Sequence, residues 1–128
     1  MNPTTPAPVQ RRSDSPAEET VRAEGEITEL LAVLDDEDCR AVLKATGDEP
    51  LSAGELADVC DIPSSTVYRK VERLVDAGLL QEGVRIRASG KHTSEYSRCV
   101  ERVALSIDDA GTELQVERTD SGSAQPAD

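Results

Sequence analysis

Long apolar runs are missing from this sequence, and a spanning helix needs about 20 consecutive apolar residues, so a membrane protein is not expected. The segment Met1–Ser15 also lacks the apolar stretch of a signal peptide, which points to a soluble, cytoplasmic chain. Histidine occurs once, at His92, and there is no G-x-S-x-G elbow, phosphate-binding glycine loop or metal-ligand cluster. An enzyme would have no parts to be built from, and neither a metal nor a cofactor is expected. The cysteines, Cys39, Cys60 and Cys99, are an odd number at wide spacing. That excludes a disulfide framework and a C-x-x-C zinc site, and leaves reduced thiols. Only Cys99, between Val100 and Arg98 and close to Arg102, approaches the electropositive setting that a redox-active thiolate needs. With 128 residues and 37% hydrophobic content, the chain has room for one small core. A separate domain for a small-molecule effector is therefore not expected, and no internal repeat is visible.

Lysine and arginine are in short supply, with a formal net charge of −12. Such a balance argues against a nucleic-acid partner until the distribution is read. From Pro63 to Arg98 there are seven basic residues (Arg69, Lys70, Arg73, Arg85, Arg87, Lys91, Arg98) and four acidic ones (Glu72, Asp76, Glu82, Glu95), a net +3, so the remainder carries −15. Basic charge is concentrated in one segment of an anionic chain, as a local DNA-facing patch requires.

Residues 1–25 are rich in Pro, Thr, Ser, Ala and Glu with few large apolar residues, and are expected to form a disordered tail; 119–128 read the same way. Ile27, Leu30, Leu31 and Leu34 then fall on one helical face, and Cys39, Val42, Leu43 and Thr46 repeat the spacing after Asp35-Asp36, a helix start, up to Gly47. Ser52-Ala53-Gly54-Glu55 fits a capping box for a short helix with Leu56, Val59 and Cys60 inward. Asp61-Ile62-Pro63 breaks it, and Pro63 or Ser64 starts the next helix, which continues through Val67, Val71, Leu74 and Val75 to Gly78. Beyond Gly78 the period changes to 2: Val84, Ile86 and Ala88 alternate with Arg85 and Arg87, turn residues follow from Ser89 to His92, and a second extended run covers Thr93–Val100. A further hairpin uses Val103, Leu105, Ile107, Leu114 and Val116 around the turn at Asp108–Gly111. The expectation is an α+β fold, a winged helix-turn-helix over 26–100 with a C-terminal β-hairpin over 101–118.

Leu51–Leu80 pairs a short capped helix with a polar-then-basic helix across a tight break. In a helix-turn-helix the second helix lies in the major groove of double-stranded DNA, its N-terminal residues reaching base edges. Val67, Val71 and Leu74 form its inward stripe, which turns Ser64, Ser65, Tyr68, Arg69 and Arg73 outward. The hydroxyls of Ser64, Ser65 and Thr66 suit phosphate or bases at the helix N-terminus. Arg69 suits a bidentate bond to guanine, Lys70 and Arg73 suit phosphates, and Tyr68 suits either contact or packing. On the hairpin, Arg85, Arg87, Lys91 and His92 lay positive charge towards the backbone or minor groove, His92 as a phosphate contact only.

The run DIPSSTVYRKVERLVDAGLL, followed by GKHTSEY from Gly90 to Tyr96, resembles the winged helix-turn-helix regulators of halophilic archaea, grouped with the ArsR-like superfamily. Acidic excess, arginine over lysine and few aromatics fit that resemblance. It covers about 26–118 and implies a transcriptional regulator acting as a homodimer on a pseudo-palindromic site. The cysteine pair of the metal-sensing members has no counterpart in Glu55–Val59, so metal sensing is not implied. An alternative use of the same fold is a protein-interaction module without direct DNA readout, for which an acidic chain is no obstacle. The apolar set from Val103 to Val116 reads as core, with an edge strand there also suited to pairing with a second subunit.

Overall fold

The computed structural model describes residues 18–119. In chain order the elements are β1 (Glu18–Val21), α1 (Glu24–Leu34), α2 (Glu37–Ala45), β2 (Leu51–Ser52), α3 (Ala53–Cys60), α4 (Ser64–Asp76), β3 (Leu80–Ile86), β4 (His92–Arg98), β5 (Val100–Asp108) and β6 (Gly111–Arg118). The strands make two antiparallel sheets, ordered β2-β4-β3 and β1-β6-β5. The fold is an α+β winged helix whose wing is the β3–β4 hairpin.

The starts of α2 and α3 follow from local side-chain capping. The Asp36 carboxylate accepts from the backbone N–H of Asp38 at 2.9 Å and of Cys39 at 3.2 Å, satisfying donors that the first turn of α2 leaves free. Ser52 Oγ accepts from the Glu55 N–H at 3.2 Å while Glu55 Oε1 accepts from the Ser52 N–H at 2.9 Å, a reciprocal capping box on α3. Asp61 ends α3 in the left-handed region at φ 59°, and Pro63, extended at ψ 147°, redirects the chain into α4. The sharp turn sets the angle between the two helices.

One continuous core joins all of these elements. Cys39, Val42, Leu56, Val67, Leu74 and Leu79 are buried together with Val21, Ile27, Val100, Leu114 and Val116, so the C-terminal hairpin shares the core of the helices. Burial of each such leucine is worth about 1.5–3 kcal/mol. Leu31 is exposed while Val33 is buried, and Val59, expected inward, is 63% exposed because α3 is covered on one side only.

The expected disorder through residue 25 is corrected over its last part. Glu18–Val21 pairs with β6 in the register Glu18↔Glu117 to Val21↔Leu114, and α1 begins at Glu24. Residues 1–17 and 120–128 of the expected tails lie outside the described residues. Arg118 fastens this sheet to the helices: its guanidinium donates to Glu19 Oε1 at 2.8 Å and to the Gly78 carbonyl.

Gly78, just after α4, has φ +79°, and a Cβ there would sit 3.3 Å from the Arg118 guanidinium. A side chain would meet both backbone strain and the clasp, so Gly78→Ala should cost about 1–2 kcal/mol of unfolding free energy in a urea titration. A neutral result would mean that the clasp moves freely.

Candidate nucleic-acid interface

Helical spacing on α4 puts Val67, Val71 and Leu74 in the core and leaves a crest opposite them. Ser64, Ser65, Tyr68, Arg69, Glu72 and Arg73 are exposed along it, while Thr66 and Lys70 are half-buried at its border. The start of the helix is open. Pro63 supplies no side-chain cap and the first turn holds no acidic residue, so among the described residues the backbone N–H groups of Ser64 and Ser65 are left for an acceptor from outside the helix. Arg69 stands one turn further on the same crest, and among the described residues no ion pair engages it.

The neighbouring cations are held differently. Lys70 Nζ lies 2.5 Å and Arg73 Nη1 3.1 Å from Asp36 Oδ2, and the Lys70 side chain is only 17% exposed. The hydrogen bond from Lys70 holds the Asp36 carboxyl below the usual carboxylate range despite partial burial. One aspartate thus caps α2 and draws two of the basic residues of α4 towards the protein.

Arg85 is likewise occupied. Its guanidinium bonds Glu95 Oε1 at 2.9 Å and Glu55 Oε1 at 3.1 Å, and also reaches the Pro50 carbonyl, bracing the wing against the start of α3. Arg85 pulls the Glu55 carboxyl down to about 2, helped by the Ser52 N–H. The unfolded chain therefore takes up a proton there first. Stability from this brace is fully present above about pH 4.5 and is lost as pH falls towards 2. Carboxyl NMR titration should place the Glu55 midpoint near 2, and Arg85→Ala should move it up towards 4.5. A midpoint near 4.5 in the unaltered chain would remove the brace from the account.

At the wing tip, Gly90 at φ +90° closes the loop, with the Arg87 N–H donating to the Lys91 carbonyl at 2.8 Å. Arg87 also donates to Thr93 Oγ1, and Arg87, Lys91 and His92 are all exposed. Arg98 has turned inward, donating to the Leu43 carbonyl with its guanidinium against Gly47. Of the seven basic residues in the segment, Arg69, Arg87 and Lys91 are left without an ion pair or a backbone carbonyl as partner among the described residues. Between α4 and the wing, a cleft of about 400 Å³ is lined by Tyr68, Val71, Glu72, Val75, Glu82 and Tyr96 among others, and it is acidic rather than basic.

Asp36 and Glu55, the residues that decide which cations stay available, were not singled out for that role in the sequence. Their places in the helix starts, Asp36 as N-cap and Glu55 as the third residue of a capping box, were legible, but the partners lie 34 and 30 residues away. Burial raises the Cys99 thiol above its usual value, and its Sγ lies against the Gly78 carbonyl at 3.3 Å. This is the reverse of an activated thiolate. Among the described residues no group of three or more His, Cys, Asp or Glu is placed to hold a metal, and no helix is long and apolar enough to cross a membrane.

Residues 34–82 match the family of helix-turn-helix domains, a span that takes in α2, α3 and α4. Among solved structures, the chain is similar to the crystal structure of NolR from Sinorhizobium fredii, with 17% identity and a TM-score of 0.47 over 77% of this chain and 81% of that one. No curated protein matches the sequence.

Proposed function

We propose that this chain is a sequence-specific regulator of transcription that binds double-stranded DNA as a homodimer. The observation that carries this reading is the N-terminal half of α4: an uncapped helix start, the hydroxyls of Ser64 and Ser65, and an Arg69 without an ion pair among the described residues share one exposed crest of a helix-turn-helix. Backbone N–H groups at the helix start take a phosphate, Arg69 reads guanine in the major groove, and Tyr68 contacts the adjoining backbone or packs. Thr66 borders this contact. Arg87, Lys91 and His92 place the wing tip on the neighbouring phosphates or in the minor groove. Lys70, Arg73 and Arg85 shape the interface through Asp36, Glu55 and Glu95 in the free protein, and join phosphates only by giving up those partners. The resemblance to ArsR-like regulators of halophilic archaea supports the same reading and adds a saline cytoplasm, in which base contacts and shape must carry more of the affinity. Selection from a random duplex pool should enrich one two-fold symmetric sequence. Failure to enrich any sequence at any salt would overturn the proposal.

A second reading is favoured by the acidic, tyrosine-lined cleft between α4 and the wing, which suits a basic protein segment better than DNA. Capture of such a segment by a wild-type chain that binds no duplex in any salt would support it.

A further inference from the structure

Strand β5 is the edge of its sheet and, among the described residues, pairs with β6 alone. Val103, Leu105 and Ile107 share the face on which Leu114 and Val116 are buried, through the pairs Val103↔Val116 and Leu105↔Leu114. Val103 packs half-buried against the core, and cover from the rest of the protein stops short of Leu105 and Ile107. Leu105 is 47% and Ile107 72% exposed, so the apolar face overhangs the core. The two-residue loop Asp109-Ala110 makes Asp108↔Gly111 the closing hydrogen-bonded pair, and alternation along the ladder then turns the N–H and C=O groups of Val103, Leu105 and Ile107 to the open edge. Such an edge is a template for another strand, and from Arg102 to Asp108 it carries neither proline nor lysine to blunt it.

The sequence of the edge identifies the strand it fits. Laid antiparallel on a copy of itself about an axis through Leu105, β5 pairs Leu105 with Leu105, Val103 with Ile107, Ala104 with Ser106 and Arg102 with Asp108. Val103, Leu105 and Ile107 each meet an apolar partner, and on the opposite face Arg102, which bonds Glu117 Oε2 of its own chain at 3.4 Å, meets Asp108. Shifting the centre by one residue leaves Val103 or Ile107 without an apolar partner and separates the charges. We infer that a second copy of this chain docks by adding its β5 to β5 about this two-fold axis, merging two three-stranded sheets into one of six strands. This supplies the interface for the homodimer in the reading above and rests on that part of it alone.

Sedimentation equilibrium of the full chain, from dilute to molar KCl, should give twice the chain mass of 13.7 kDa, most readily at high salt where the net charge of −12 is screened. Leu105→Lys and Ile107→Lys change exposed side chains, so circular dichroism should stay native while the dimer dissociation constant rises about tenfold or more. Leu105→Cys should form a covalent dimer on mild oxidation, and Ala104→Cys should not. A wild-type dimer that both lysine variants leave intact would overturn this interface while leaving the homodimer standing. Crosslinking at Ala104 rather than Leu105 would overturn the register, and a wild-type monomer at every salt and concentration would overturn both the interface and the homodimer. Loss of duplex binding by an intact dimer would count against the DNA reading and not against the interface.

Discussion

Asp36→Ala is expected to weaken the fold and tighten duplex binding at the same time. The stability loss has two parts. Removing the N-cap of α2 costs about 0.5–2 kcal/mol, and each of the partly exposed ion pairs to Lys70 and Arg73 contributes about 0.2–1 kcal/mol. A total near 2 kcal/mol should appear in a urea titration. Binding moves the other way, because Lys70 and Arg73 lose the carboxylate that draws them inward and become available to phosphates. Two added phosphate contacts should steepen the salt slope by roughly 1.8 and raise affinity about tenfold in dilute salt. Asp36→Asn separates the effects, since asparagine caps as well as aspartate and carries no charge. It should keep most of the stability and still gain affinity. An unchanged slope in Asp36→Asn would mean that these two cations never reach DNA.

Leu74→Ala should produce the largest loss of stability. Leu74 is fully buried on the inner face of α4, within the core that Val42, Leu56, Val67 and Leu79 share. Truncating it removes transfer free energy and leaves a cavity, together about 3 kcal/mol of a total that for a domain of this size is about 5–15 kcal/mol. Tyr68→Ala, on the same helix but 58% exposed, should change stability by less than about 0.5 kcal/mol. Equal losses at the two positions, measured by urea unfolding, would contradict the assignment of core and crest on α4.

Where local chemistry governs, the sequence was a good guide. The capping box at Ser52 and Glu55, the Asp36 cap and the break at Ile62-Pro63 each act over a few residues, and the helices begin as those residues require. Alternation marked the wing, although Val84 and Ile86 turned out exposed because no layer covers that face of β3. What stayed hidden depends on distant partners. β1 buries only Val21 and is held by hydrogen bonds to β6 more than 90 residues on, so Glu18-Glu19-Thr20 gave no periodic signal of its own. The same holds for the interface. A basic segment of net +3 was legible, but Arg85 meets Glu55 and Lys70 meets Asp36 only after the helices pack, which leaves Arg69, Arg87 and Lys91 as the cations at the crest and wing tip without an ion pair among the described residues.

In the proposed reading, α4 recognises duplex DNA through Arg69 with a small set of free cations. Fluorescence anisotropy of the selected duplex, titrated with wild type and Arg69→Ala over a range of KCl, tests it most directly. Phosphate contacts by Arg87 and Lys91 at about 0.9 each predict a log–log salt slope of about −2 per protomer, and loss of a bidentate guanine contact worth about 1–3 kcal/mol predicts binding weakened roughly 5- to 150-fold. Equal affinity of the two proteins, or no binding by the wild type at any salt, would contradict the account.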